Sequence, residues 1–578
     1  MAGQLQVVTI AAPGFYGLNT QESGITISSG FALEAINCVI DKFGRIGSRK
    51  GWNTFTSDVS GSPQFTGTVR AIAQYTKSDG TLEVIFTAGS KIYKADDSSG
   101  SVTEITGSAT ITDDDWQIIT YNNHAVFVQE GHNPVYYNGA SNTYQGYSSP
   151  PFTQPTCGAS CFNRVWVGEG STVYWSKILE PQSMTGTGTG QINMREIFGE
   201  DDDVVAISAY NNRLVVFGRR NIAFFAGAED PTGTGFAMSD HIKGIGCIAR
   251  DSVQNVGTDI VFLSSEGVRS LGRTIQEKSS PIGDVSKNIR DDIVQYSASE
   301  SEYRIKGIYS PNDAFYLLTL PATGYTYCFD MRAQLQDGSR RVTVWTDINP
   351  SAYAVKNDNT LLLGQANYVG KYDSFSDNGS FYRMSYYTNY IDFGNAAVES
   401  ILKKIRLAII GATNQDAALK WAFDYNIDYT STSFVLSEGT SSEYNINEFG
   451  IDTLTAATET PSQSSTTITD VDSGVHYSLD FSATLQTGYE VGITVYLDSD
   501  TYYYNDQDVG ETRTETTLYF PASVFPSEYS SGIVLDNISL NIGGKGAVAQ
   551  IGIEADIRGG ALSIQKMDIF AKNGKLVS

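Results

Sequence analysis

Few side chains in this 578-residue chain are of the kinds that do covalent chemistry. Only four histidines occur, His124, His132, His241 and His476, and none forms a metal-binding pair such as His-x-x-x-His. His124 sits in an alternating run beside Ala125, Val126 and Phe127, which reads as a structural histidine on a strand. The five cysteines, Cys38, Cys157, Cys161, Cys247 and Cys328, are odd in number and irregular in spacing, so they imply no disulfide framework and a reducing compartment for folding. Cys157 and Cys161 lie four apart, but no second Cys/His pair stands near to complete a tetrahedral zinc site; both read as small buried hydrophobes. Two acidic runs are the strongest chemical candidates: Asp113, Asp114 and Asp115, then Glu200, Asp201, Asp202 and Asp203. Paired carboxylates can serve as glycosidase acid and base, or hold calcium. They can equally be solvated turns.

The elements that would position these groups are strands. Gly (56) and Tyr (34) are abundant while helical-period runs of Ala, Leu, Glu and Lys are scarce, a balance that favours short strands joined by turns. With 41% hydrophobic residues the chain can build packed cores, and its length calls for two to four domains. The net charge of −25 excludes a conventional nucleic-acid binder, which needs clustered Lys and Arg; solubility is the plain explanation. No basic stretch leading into an apolar run opens the chain, and no run of eighteen apolar residues occurs. A chain made soluble inside a cell is expected.

A loose repeat organises the first two-thirds: an alternating strand, a turn, a very apolar strand, a second turn, then a short strand ending in aromatics. Its clearest copy has strands over 204–210, 213–218 and 221–225, the first pair joined by Asn211-Asn212, residues that tolerate the left-handed backbone of a tight hairpin. Other copies begin near residues 69, 116, 163, 252, 305 and 352. Roughly seven units of roughly 45 residues are the signature of propeller blades. A large sandwich would give evenly spaced strands but not this recurring order. The best helix candidate is 284–296, with Val285, Ile289, Ile293 and Val294 apolar; residues 30–39 show mixed helix and strand spacing. The expected fold is therefore all-β: residues 1–60 closing onto a β-propeller over 61–390, then a separate β-sandwich-like region over 391–578, with 430–530 an insertion or a flexible module.

Catalytic machinery is not in evidence. There is no Gly-x-Ser-x-Gly elbow, phosphate-binding Gly-x-x-x-x-Gly-Lys loop or dinucleotide fingerprint, and the glycine-rich 186–190 stretch follows no strand-to-helix signal, so it reads as a flexible loop. The Ser-x-Asp-x-Gly-x-x-Trp turn of sialidase-type propellers and the Gly-His and Trp-Asp signatures of WD40 blades are also missing. No catalytic, cofactor-binding or metal site is expected. The alternative function is a surface propeller that binds or cleaves host polysaccharide.

Several segments resemble, in order, the nozzle proteins of podovirus tails, the tail tubular protein B or stabilisation protein family. They are Gly17-Leu18-Asn19-Thr20-Gln21, then Gly30 through Asn37, Asp41-Lys42-Phe43-Gly44-Arg45 and Arg49-Lys50-Gly51. Further matches are 163–176, 204–225, and Gly246-Cys247-Ile248-Ala249-Arg250-Asp251-Ser252 followed by 262–268. The resemblance covers roughly residues 14–410 and implies a structural subunit of a virion tail, assembled in the host cytoplasm. It implies a hexamer below the portal and adaptor, with tail fibres or spikes as neighbours and a lumen that retains and conducts genomic DNA without specific binding. Acidity then acquires a use, since a basic wall would hold DNA by counterion release. Some of the carboxylates of residues 113–115 and 200–203 are expected to face the lumen or an inter-subunit seam. The aromatic stretches Phe381, Tyr382, Tyr386, Tyr387, Tyr390 and Tyr502, Tyr503, Tyr504 are either interface anchors or core.

Overall fold

The computed structural model describes residues 5–59, 62–277, 285–394, 398–412, 416–435 and 533–576, together with four short strands between 491 and 520. Most of the 430–530 segment, His476 and the Tyr502–504 side chains lie outside the described residues.

Seven inner strands form a closed ring: Val69–Thr76, Gln117–Tyr121, Cys157–Cys161, Val204–Tyr210, Gln254–Val256, Lys306–Ser310 and Ala352–Val355. Consecutive inner strands lie side by side, the fourth meeting the fifth through the turn Arg250–Ser252 that leads into it, and Ala352–Val355 returns to Val69–Thr76. From each, an antiparallel sheet runs outward. Among the described residues, five of these sheets have four strands and one has three; the sixth unit, Lys306 through Trp345, opens a ten-stranded sheet. The two-residue hairpins form as the sequence requires, with Asn122 and Asn123 (φ 42° and 60°) and Asn211 and Asn212 (φ 46° and 61°) in the left-handed region.

The ring is clasped by the N-terminal segment. Strand Gly51–Thr54 lies antiparallel to Tyr368–Ser374 as the outermost strand of the last blade, so that blade is built from both ends of the propeller sequence. A Cβ on Gly51 would stand 2.1 Å from the Ser376 carbonyl oxygen; only glycine permits that approach.

The fifth blade stops at three strands, and helices Leu271–Glu277 and Arg290–Ser297 follow it. The second is the expected helix, shorter than its apolar pattern; its Ile293, with Ile289 just before it, is buried. Residues 30–39 resolve into strands Phe31–Ile36 and Cys38–Ile40.

The C-terminal region does not stand apart as its composition implies. The sixth blade continues through Gly17–Leu18 and Phe31–Ile36 into Tyr382–Thr388, Ala549–Ile557, Asp416–Phe423 and Thr430–Val435, one sheet of ten strands. A second sheet of seven strands, centred on Val398–Ala412 and Leu562–Leu576, packs against it. One hydrophobic cluster spans both, joining Leu407, Ile409 and Ile569 to Leu419, Ile553 and the blade residues Tyr316 and Leu318.

Candidate functional site at the propeller axis

The segment leading into the fifth inner strand forms a single 3-10 turn, Arg250–Ser252. Ser252 fixes it: its Oγ donates to the Ala249 carbonyl (2.7 Å) and accepts from the Leu263 amide (3.1 Å), while Tyr316 Oη donates to the Ser252 carbonyl (2.8 Å). The Arg250 side chain is thereby aimed across the propeller axis. Its Nη1 donates to the Thr156 carbonyl (2.6 Å) of the third blade, and its Nη2 to the Asp115 carbonyl (2.7 Å) of the second. Asp251 accepts from Arg250 Nε (3.1 Å) and from Lys306 Nζ (2.6 Å) of the sixth blade. The Tyr303 ring lies 5.1 Å from the guanidinium. One fully buried arginine therefore ties four blades together at the centre.

The charges are mutually sustained. Burial opposes ionisation of Arg250, yet Asp251 holds its pKa above the ordinary arginine value. Burial likewise opposes the Asp251 carboxylate, and Arg250 with Lys306 pulls it below the usual range. Tyr303 is pushed above the usual phenol value, first by burial and then by Glu302 and Glu130.

Above this plug lies a cavity of about 260 Å³ whose wall carries Glu130, Glu169, Asp203 and Glu302, with Arg219 and Arg250 as its cations. Arg219 is paired with Glu302. The cavity is smaller than the ~300–1,000 Å³ of ordinary small-molecule pockets. Among the described residues no group of three or more His, Cys, Asp or Glu could hold a metal ion.

Both acidic runs arrive at this face, because each leads into an inner strand. They are not alike. Asp202 is buried and structural, accepting from the Arg219 amide (2.6 Å), the Arg220 amide (3.1 Å) and Asn221 Nδ2 (2.6 Å). Asp113 pairs with Arg70 (3.1 Å), and Asp115 lies near Arg304 (3.5 Å). Asp114 accepts from Thr112 Oγ1 (2.6 Å) and contacts His132 Nε2 (2.7 Å), which together hold its carboxyl below the usual range. Glu200, Asp201 and Asp203 remain exposed.

The other singled-out groups are structural. His124 Nδ1 contacts the Asn122 carbonyl (2.9 Å), and His241 Nε2 contacts Asn221 Oδ1 (3.0 Å) with its pKa lowered by burial. Burial pushes the Cys157 and Cys161 thiols up to about 12. The 186–190 stretch, expected to be a loose loop, is pinned where buried Arg164 donates to the Gly188 carbonyl (2.7 Å). Tyr382, Tyr386 and Tyr387 are core residues, whereas Phe381 is 57% exposed.

Two residues stand out only in three dimensions. Arg250 lies inside a quoted motif without any sign that its side chain closes the axis. Arg49 is the second: it holds Asp377 through its two terminal guanidinium nitrogens (2.8 and 2.6 Å), donates from Nε to Asn37 Oδ1 (3.0 Å) and lies 3.9 Å over the Tyr382 ring. It locks the N-terminal segment to the end of the last blade.

A clasped propeller bridged across its axis by a buried arginine and built into a two-sheet sandwich defines a β-propeller protein. The chain belongs to the phage stabilisation family: the family model described as "Bacteriophage P22 Gp10, beta-propeller" matches residues 42–362, more than half of it. It is accordingly a structural protein of the phage tail. Among curated proteins none matches the sequence. Similar solved structures include BamB from Moraxella catarrhalis (11% identity, 64% of this chain and 97% of that one, TM-score 0.33). Another is the computationally designed Ika8 protein (14% identity, 53% and 96%, TM-score 0.31). At these TM-scores neither carries an argument.

Proposed function

We propose that the chain is the nozzle subunit of a short-tailed phage: a non-enzymatic ring component, six copies around the genome channel, extending the portal and adaptor. The observation that carries this reading is the sealed axis. Arg250, Asp251 and Lys306 bridge the centre of the propeller and leave only cavities of about 180 and 260 Å³ there, so no duplex threads a single subunit. A phage tail protein of this kind contributes to a conduit only as one stave among several copies around a common axis. The charge supports the same reading, since a wall with a net −25 per copy does not adsorb passing DNA by counterion release.

The test is assembly. Purified chain mixed with its adaptor should give rings with six-fold symmetry in negative stain, and antibodies to it should decorate the tail tip of virions. A chain that stays monomeric beside its adaptor, or that is absent from virions, refutes the proposal.

A further inference from the structure

The seven-stranded sheet buries one face in the sandwich and shows the other to solvent. Register assigns the outer face: Lys404 pairs with Phe570, which pairs with Val7; Arg406 pairs with Asp568, which pairs with Thr9; Ala408 pairs with Lys566; and Ile401 pairs with Lys572. The alternate residues Leu402, Ile405, Leu407, Met567 and Ile569 are buried and face the sandwich, while Asp568 on the outer face is buried beneath its partners. Lys403 adds another exposed cation at a bulge in the same strand.

This face runs against the charge of the molecule. In these rows Lys403, Lys404, Arg406, Lys566 and Lys572 meet one carboxylate, Asp568, which is bound by Thr9 (2.6 Å) and Lys566 (2.9 Å). Among the described residues the Lys403, Lys404 and Lys572 side chains have no ionic partner. The centre of the face is apolar: Val7 is 48% exposed and lies beside half-buried Phe570. An apolar centre with a charged rim is the anatomy of a protein interface, whereas a phosphate-binding surface needs no such centre.

Resting on the ring reading above, we infer that this basic face seats a second copy of the chain, against the acidic propeller face that carries Glu130, Glu200, Asp201 and Asp203. Charge complementarity selects the occupant: the two patches are different surfaces of one chain, and their pairing is head-to-tail, the kind of contact that closes into a ring. Copies carrying a net −25 each repel unless such a contact is aligned.

The experiment uses two full-length variants, one K403E/K404E/R406E and one E200K/D201K/D203K, with assembly followed by mass photometry and sedimentation. All six positions lie outside the buried cores, so thermal melts should match wild type. Each variant alone should need a roughly hundredfold or higher concentration to form rings, as like charges face each other. An equimolar mixture should restore rings, because each reversed patch then meets its opposite on the other variant; a merely misfolded variant would not be rescued. Wild-type rings beside equally good rings of either variant alone overturn this contact and leave the ring standing. So do variant rings that assemble normally but leak packaged DNA, which would assign the basic face to nucleic acid. Wild-type chain that forms no ring even beside its adaptor overturns both.

Discussion

Replacing Arg250 by Met removes the guanidinium at the propeller axis while keeping most of the buried stem volume. Two carbonyl acceptors, on Asp115 and Thr156, lose their donor, and Asp251 loses one of two cations. Breaking a buried ion pair costs about 3–5 kcal/mol, and an orphaned buried acceptor about 1–3 kcal/mol. Lys306 still holds Asp251 at 2.6 Å, which offsets part of the first cost. The expected net loss is about 3–5 kcal/mol. For a large domain each kilocalorie lowers Tm by roughly 2 °C, so the propeller transition should fall by roughly 6–10 °C in scanning calorimetry. R250K keeps the charge but loses the planar fork, and should fall by roughly half as much. A shift under about 2 °C in R250M, or R250K no better than R250M, would show that the axial plug does not hold the blades together.

Arg49→Ala should destabilise by about 3 kcal/mol, because the buried guanidinium is lost and the partly buried Asp377 loses a bidentate partner, and limited proteolysis should then cut between the clasp strand and the first blade. Acid should weaken the protein through Asp251. Its folded pKa is depressed, so its stabilisation is complete above the unfolded value of about 3.9 and is lost as pH falls through the lower folded one; D251N should flatten the fall of Tm on acidification below about pH 4. Thiol reagents at neutral pH should leave Cys157 and Cys247, whose pKa values stand at about 12 and about 11, unlabelled until the chain unfolds; rapid labelling of native protein would contradict their burial.

Local chemistry was legible in the sequence wherever neighbours in the chain decide it. The Asn-Asn hairpins, the apolar second strands and the recurring blade order follow from positive-φ tolerance and period-two burial, and they suffice for a propeller. The scarcity of His and the irregular Cys spacing were equally plain. Tertiary structure alone decided what distant partners decide. That Asp202 is a buried cap while Asp201 and Asp203 stay exposed depends on amides of the Arg219–Arg220 turn of the same blade. That Tyr382 and Tyr386 are core depends on Tyr382–Thr388 lying between two strands from opposite ends of the chain. Arg250 is the sharpest case: its partners, at Asp115 and Thr156, are 135 and 94 residues away. A sequence shows a charged residue at the start of a strand; only closure of the ring makes that position its centre.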